Sequence, residues 1–538
     1  MLQGLLGTLA KGAAREGRRA AAASCARRVG QIDSGALASP TERAASSGSG
    51  DAPPFPSRGY RVLAFGQGNS GALGLGDLLD AHEPALVEGL PDDVTSIACG
   101  HFHSVAVTAS GEVWTWGRNQ EKQLGHDGKS DFNPLVCDVP GRVGGGEMEG
   151  TRIRDASASG VASFAVCENG RAFSWGTSKR GQLGLGPGVV ASEAPRAIPS
   201  RLPFKKISAG WGHAVGIADT NVCELLSWGY PVQGRLGYGY SEIQQQQQSA
   251  ISGASGANGG ATMNAEDEET AAACVWQPRE VARLSGMKIL GIACGADHTV
   301  VTTEWGAVFA FGDNSMMQLG IGGSLESHAT DFSLLGSEML HLSEEYAGGG
   351  SLQRTDSSGL LTAAASEDIQ RVLFPVPVRA TAIASGYAHT LCLAKRADVS
   401  DENFGELSCL LSWGWDSAHQ LGQNTGSFEG IRGDQPAFVR CFEGGGIASG
   451  GKPTEGSSEE DSPRFEAAKI AAGRVHSVVL TQDGEVLAWG DAKNGRLGFD
   501  PTAGATGVPQ KVLFPEDLGV KRVIDIACGY DHTLLLVE

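Results

Sequence analysis

Six histidines of this chain stand at one recurring position, the last residue of a Gly-x-x-His step: Gly100 and His103, Gly210 and His213, Gly295 and His298, Gly386 and His389, Gly473 and His476, Gly529 and His532. Imidazoles repeated in this way could ligate a metal or relay protons. In the unit between the first two, Gly160 is kept and Ser163 stands where histidine is expected. Cysteine recurs as well, with Cys99, Cys294 and Cys528 each preceding a motif glycine. None of the 11 cysteines forms a Cys-x-x-Cys pair or another tight ligand spacing, so a zinc site has no support. No serine, histidine and aspartate arrangement or Gly-rich phosphate loop stands out, and Gly66-x-Gly68 and Gly74-x-Gly76 read as turn glycines.

The elements that carry these histidines repeat too. An aromatic followed by glycine recurs at Phe65, Trp116, Trp175, Trp228, Phe311, Trp413 and Trp489. A Leu-Gly step follows each, at Leu73, Leu124, Leu183, Leu236, Leu319, Leu421 and Leu497. A proline then opens a short apolar run, at Pro84, Pro134, Pro195, Pro278, Pro377, Pro436 and Pro509. Each unit reads as four strands. One ends before the motif glycine. A second is apolar at almost every position, as His103 to Thr108 is, and suits a strand buried on both faces. A tight hairpin at Ser110-Gly111, Asn169-Gly170 or Asp483-Gly484 leads to a third strand ending on the aromatic-Gly pair. The fourth starts at the proline, where a missing N–H is tolerated. The high glycine count, 78 of 538 residues, agrees with many closed turns.

One such blade leaves both sheet faces bare, so blades must pack in a ring until it closes. The first unit starts at Arg61 with no Gly-x-x-His strand before it, and the chain ends after His532 to Val537 with no third strand after. The two half-units complement each other, which predicts an all-β, seven-bladed propeller whose closing blade is shared by the two ends. Equivalent positions then lie around the ring, so the histidines cannot converge on one ion within the ~2.1 Å of a ligand bond. They read as buried groups that hold main chain or neighbouring blades. Cys99, Cys294 and Cys528 read as core thiols, and Trp116, Trp175, Trp228, Trp413 and Trp489 as core residues of the repeat.

The pattern of Gly-x-x-His, Trp-Gly and Gln-Leu-Gly resembles the regulator of chromosome condensation repeat family of seven-bladed propellers, over residues 61 to 537 apart from insertions. That family includes a nucleotide exchange factor for a nuclear small GTPase, a plant UV-B photoreceptor, ligase-associated propellers and organelle-targeted members linked to organellar RNA processing and ribosome assembly. The photoreceptor depends on tryptophans within repeated Gly-Trp-Arg-His-Thr motifs. Here the position after the motif glycine is His101, Val161, Trp211, Ala296, Tyr387, Arg474 and Tyr530, so Trp211 alone matches. No stretch matches the loops by which the exchange factor wedges into its GTPase. Basic loops at Arg118 to Lys122, Lys179-Arg180 and Lys205-Lys206 are the candidate partner contacts.

Net charge is −19, with 42 Lys and Arg against 61 Asp and Glu, which argues against a surface that grips nucleic acid all over. No apolar run approaches the ~20 residues of a membrane span. Residues 1 to 36 are Ala- and Arg-rich with few acids and resemble a mitochondrial presequence, with plastid import or a cytosolic or nuclear tail as the alternatives. Residues 37 to 59 read as a flexible linker and 60 to 538 as the propeller. Low-complexity insertions fall at 241 to 275, 325 to 370 and 443 to 465, and Phe332, Leu335, Met339, Leu342 and Tyr346 form a helical stripe in the second. The whole predicts a non-enzymatic scaffold without cofactor or metal, binding protein partners in an organellar RNA-protein complex. Nucleotide exchange on a small GTPase is the alternative, and a cytosolic ligand-binding propeller a third class.

Overall fold

Each repeat folds into a sheet whose four main strands are antiparallel and lie side by side in chain order, because elements consecutive in the chain pair with their neighbours even where the third-to-fourth connection is long. The computed structural model describes residues 59–538, apart from 129, 132, 134, 239–273, 322–328, 336–369, 373, 397–407, 424–432, 440, 441, 443–464, 501 and 503. From axis to rim, blade 1 is Val94–Cys99, His103–Thr108, Val113–Arg118 and Val136–Arg142. Blade 2 is Ile153–Ala158, Ala162–Cys167, Ala172–Thr177 and Ala191–Ala197. Blade 3 is Phe204–Ala209, His213–Ala218, Leu225–Gly229 and Val275–Glu280. Blade 4 is Ile289–Cys294, His298–Thr303, Val308–Gly312 and Ala329–Leu335, with Gln370–Val372 added in parallel. Blade 5 is Val378–Ser385, His389–Arg396, Ser408–Gly414 and Gly433–Phe438, and blade 6 is Ala467–Ala472, His476–Thr481, Val486–Asp491 and Ala505–Lys511.

Blade 7 closes the ring. Val523–Cys528 and His532–Val537 supply its inner strands, and Arg61–Gly66 and Ala81–Leu86 its outer ones, with Arg61 opposite Val537 and Gly66 opposite His532. The protein is therefore the all-β, seven-bladed propeller that the repeat pattern predicts. The inner strands end on Ala, Ser or Cys, and these ends converge on the axis, where small side chains alone fit. The second strands carry the core, buried throughout in six blades and at every position but Lys395 in blade 5. Among the described residues no helix is long and apolar enough to cross a membrane.

Four expectations need correction. Pro84, Pro195, Pro278, Pro436 and Pro509 lie inside the outer strand, where its pairing slips, rather than at its start. An outer strand has no neighbour on one side and the slip frees its N–H, so proline forfeits no ladder bond. In blade 1 this place belongs to Pro140, and Pro134 lies outside the described residues. Pro377 immediately precedes the inner strand of blade 5. The outer strand of blade 4, Ala329–Leu335, comes instead from within the expected insertion at 325 to 370 and contains no proline. Phe332 and Leu335 of the expected helical stripe therefore lie in a strand, while Met339, Leu342 and Tyr346 fall outside the described residues. The expected presequence, nearly all of the linker, and most of the insertions also fall outside them.

The fourth correction is one of register. His103 pairs with Gly117 and Ser104 with Trp116, whereas Ala162 pairs with Gly176 and Ser163 with Trp175. Ala162, not Ser163, thus holds the histidine position of blade 2. Ser163 is the counterpart of Ser104.

Candidate functional site

The six repeated histidines are spent on joining blades. Each Nε2 meets a hydroxyl one position into the second strand of the next blade: His103 and Ser163 at 2.7 Å, His213 and Thr299 at 2.9 Å, His298 and Thr390 at 3.3 Å, His389 and Ser477 at 3.1 Å, His476 and Thr533 at 3.2 Å, His532 and Ser104 at 3.1 Å. Ser104, Ser163, Thr299, Ser477 and Thr533 donate their own proton to a carbonyl, so they must accept one from the histidine. That places a proton on Nε2 of the five histidines they meet. Burial holds His103 and His389 down at about 3 and His298 and His532 at about 4, with His213 and His476 well below their ordinary value. Between blades 2 and 3 histidine and hydroxyl are missing together, since Ala162 faces the second strand in which Ala214 stands opposite Trp228.

The tryptophans do the same work. The indole N–H of Trp116 donates to Ala72 at 2.8 Å, Trp175 to Gln123 at 2.8 Å, Trp228 to Gln182 at 2.9 Å, Trp413 to Gln318 at 3.0 Å and Trp489 to Gln420 at 2.9 Å, each a carbonyl in the preceding blade. Ala72, Gln123 and Gln420 accept the neighbouring hydroxyl on the same oxygen. Cys99, Cys294 and Cys528 stand at the axial strand ends, where burial pushes the thiols of Cys294 and Cys528 up to about 12 and that of Cys99 well above its ordinary value. Protonated thiols of this kind are poor nucleophiles.

What is left for a ligand lies on the two faces of the ring. On the face that bears the Gly-x-x-His turns, residues within the turns gather into an aromatic mouth. His101 lies 4.8 Å from Trp211 and 5.4 Å from Tyr530, and Tyr530 lies 5.4 Å from Phe102 and 5.9 Å from Tyr387. Arg474 sits 4.7 Å over Tyr530 and holds Asp531 through two hydrogen bonds of 3.1 and 2.9 Å. The sequence signal for this cluster is the position after the motif glycine, where His101, Tyr387 and Tyr530 are rings as well as Trp211. The axial cavity beneath measures about 70 Å³, small beside the ~300 Å³ and upward of ligand pockets, so the mouth suits a side chain of a macromolecule.

The three basic loops expected to contact partners are not brought together. Arg118 belongs to the mouth, 5.2 Å over Phe102 and paired with Glu121 at 2.6 Å. Lys122, with φ of 62°, pairs with Glu193 at 3.5 Å; Lys179 is exposed; and Arg180 lies 4.5 Å over Tyr230 on the same face. Lys205 and Lys206 open the inner strand of blade 3 at the opposite, hairpin face, where Phe204 N–H donates to Gly170.

These features define a closed propeller whose recurring polar side chains seal its blades and whose axial faces carry the variable ones. The chain belongs to the RCC1-like domain family, whose model matches residues 61–353, and the Regulator of chromosome condensation (RCC1) repeat matches residues 467–496 and 483–536. It is 30% identical to the Ultraviolet-B receptor UVR8 of Arabidopsis thaliana, over 51% of this chain and 65% of that one. It is likewise 30% identical to the RCC1 domain-containing protein RUG3, mitochondrial, of the same plant, over 48% of this chain and 50% of the relative. The chain thus spans half to two thirds of these relatives. The solved structure of Prp20p from Saccharomyces cerevisiae, a protein with binding properties to Gsp1p and histones, shares the fold at a TM-score of 0.61 and 20% identity, over 89% of this chain and 92% of that one.

Proposed function

We propose that this chain is a non-enzymatic scaffold, imported into mitochondria, that holds macromolecular partners on its propeller faces in organellar RNA processing or ribosome assembly. The observation that carries this reading is the use of the repeated histidines and tryptophans as blade latches, which leaves recognition to the aromatic mouth and the surface loops. Likeness to a mitochondrial relative and the Arg-rich, acid-poor amino terminus support the compartment. A reporter fused to residues 1 to 50 should enter mitochondria; a cytosolic or nuclear reporter overturns the compartment.

Nucleotide exchange is the second reading, favoured by the likeness to a propeller that binds Gsp1p. An exchange factor must prefer the nucleotide-free GTPase, because differential affinity alone shifts an equilibrium. Pull-down from organelle extract, first with EDTA to strip nucleotide and then with excess GTP, separates the two. Partners held regardless of nucleotide support the scaffold. A single GTPase captured after stripping and released by GTP replaces it with the exchange factor.

A further inference from the structure

On the hairpin face, at the boundary of blades 2 and 3, a cavity of about 210 Å³ opens between the Asn169-Gly170 hairpin and the segment leading from Ile198 to Phe204. Its apolar wall includes Ile198, Leu202 and Pro203, and Arg171 and Arg201 line it, the Arg171 guanidinium lying 5.2 Å over the ring of Phe173. Lys205 follows directly and is exposed. Nearby arginines are matched to carboxylates: Arg152 with Glu168 at 3.2 Å, Arg154 with Asp219 at 3.2 Å and Arg196 with Glu147 at 4.0 Å. Among the described residues Arg171, Arg201 and Lys205 have no such partner, although the chain as a whole carries −19.

The boundary itself is distinctive. Backbone hydrogen bonds link successive motif turns around the axis, from Trp211 to Ala296, Ala296 to Tyr387, Tyr387 to Gly473, Arg474 to Tyr530, Tyr530 to His101 and His101 to Ser159. Among the described residues no corresponding bond joins blade 2 to blade 3, the boundary that also lacks the histidine and hydroxyl pair.

We propose that this groove binds an acidic peptide segment of a partner protein, seating one aliphatic side chain against Ile198, Leu202 and Pro203 while Arg171, Arg201 and Lys205 take the flanking carboxylates. Charge complementarity carries the choice, since three unmatched cations around an apolar floor ask for the reverse pattern. Single-stranded RNA is disfavoured because no aromatic ring among the described residues lines the groove beyond the buried edge of Phe204, and such sites stack bases on exposed rings. The proposal rests on the scaffold reading and names one of its surfaces.

The test uses the full chain and a fluorescein-labelled peptide of twelve residues, Asp and Glu with one central Leu, read by fluorescence anisotropy. The exposed double variant R171E/R201E should keep the melting temperature and bind at least tenfold more weakly, while K179E/R180E on the opposite face should bind as the parent does. Replacing the central Leu of the peptide by Ser should also weaken binding. Equal affinity of R171E/R201E and parent, or binding of oligouridylate but not of the peptide through the same arginines, overturns the proposal. No binding of the peptide at millimolar concentration overturns it too. In the organelle pull-down, partners retained equally by parent and R171E/R201E discard the groove and leave the scaffold standing, whereas a parent chain that retains nothing discards the scaffold.

Discussion

The imidazoles of His103, His213, His298, His389 and His476 leave Nδ1 buried without a hydrogen-bond partner, so a second proton there would meet no acceptor. Burial holds their titration below the ordinary value, and from that follows a pH dependence of stability. A group that stays neutral in the fold to about 4, yet titrates near 6.5 when unfolded, contributes fully above 6.5 and loses that contribution as pH falls toward 4. Stability should therefore drop between pH 7 and pH 5, each such histidine adding about 1.4 kcal/mol per pH unit to the slope. Urea unfolding across this range checks it, and a flat profile would contradict the latch. His298→Ala should cost about 2–3 kcal/mol, from the lost hydrogen bond to Thr390 and the cavity left behind, and should lower the proton uptake on unfolding. His103→Ala and Ser163→Ala should be non-additive by about 0.5 kcal/mol or more, because each leaves the other's latch incomplete. Ala162 and Ala214 already show both partners replaced together.

Each blade loop between the aromatic-Gly pair and Leu-Gly contains a left-handed residue three positions before the final glycine. It is glycine at Gly71, Gly181, Gly234 and Gly495, but Lys122, Met317 and His419 in the other three blades. A side chain in that conformation costs roughly 1 kcal/mol, so Lys122→Gly should raise stability by about that much, measured by chemical denaturation. The opposite holds at Gly125, with φ of 68°, where a Cβ would lie 2.8 Å from Nε1 of Trp175. Gly125→Ala should cost more than 2 kcal/mol, because it strains the backbone and drives the indole off the Gln123 carbonyl it bonds. An alanine tolerated there without loss would mean that the loop does not hold the ring.

At the scale of the whole molecule the closing blade is the part that a local change can undo. Deleting Ile526 to Glu538 removes the strand His532–Val537 and exposes the edge of Arg61–Gly66. Loss of cooperative unfolding and a rise in aggregation are expected, since a bare strand edge pairs with other chains. A truncated chain that stays monomeric and as protease-resistant as the parent would show that the ring does not need its latch. Replacing residues 244 to 272 by a short Gly-Ser linker should, in contrast, move the melting temperature by a few degrees at most, because loop length enters the closure entropy logarithmically.

The amino-acid sequence specified the number of blades, the order of strands within them and the shared closing blade. Those features are written in local spacings such as Gly-x-x-His and Trp-Gly, and each blade is largely a local hairpin array. It did not determine which residue of blade 2 replaces histidine. Gly160 suggested Ser163, yet pairing of Ala162 with Gly176 moves the position by one, and register is decided across strands. Nor did it disclose the outer strand Ala329–Leu335, which lacks the proline of the other outer strands and pairs along the edge of Val308–Gly312. The aromatic mouth draws His101 and Tyr530 from opposite ends of the repeat array, and the unmatched arginines of the groove are recognisable once their neighbours' carboxylates are seen to be taken. Contacts between residues hundreds of positions apart depend on ring closure, which the tertiary structure alone decides.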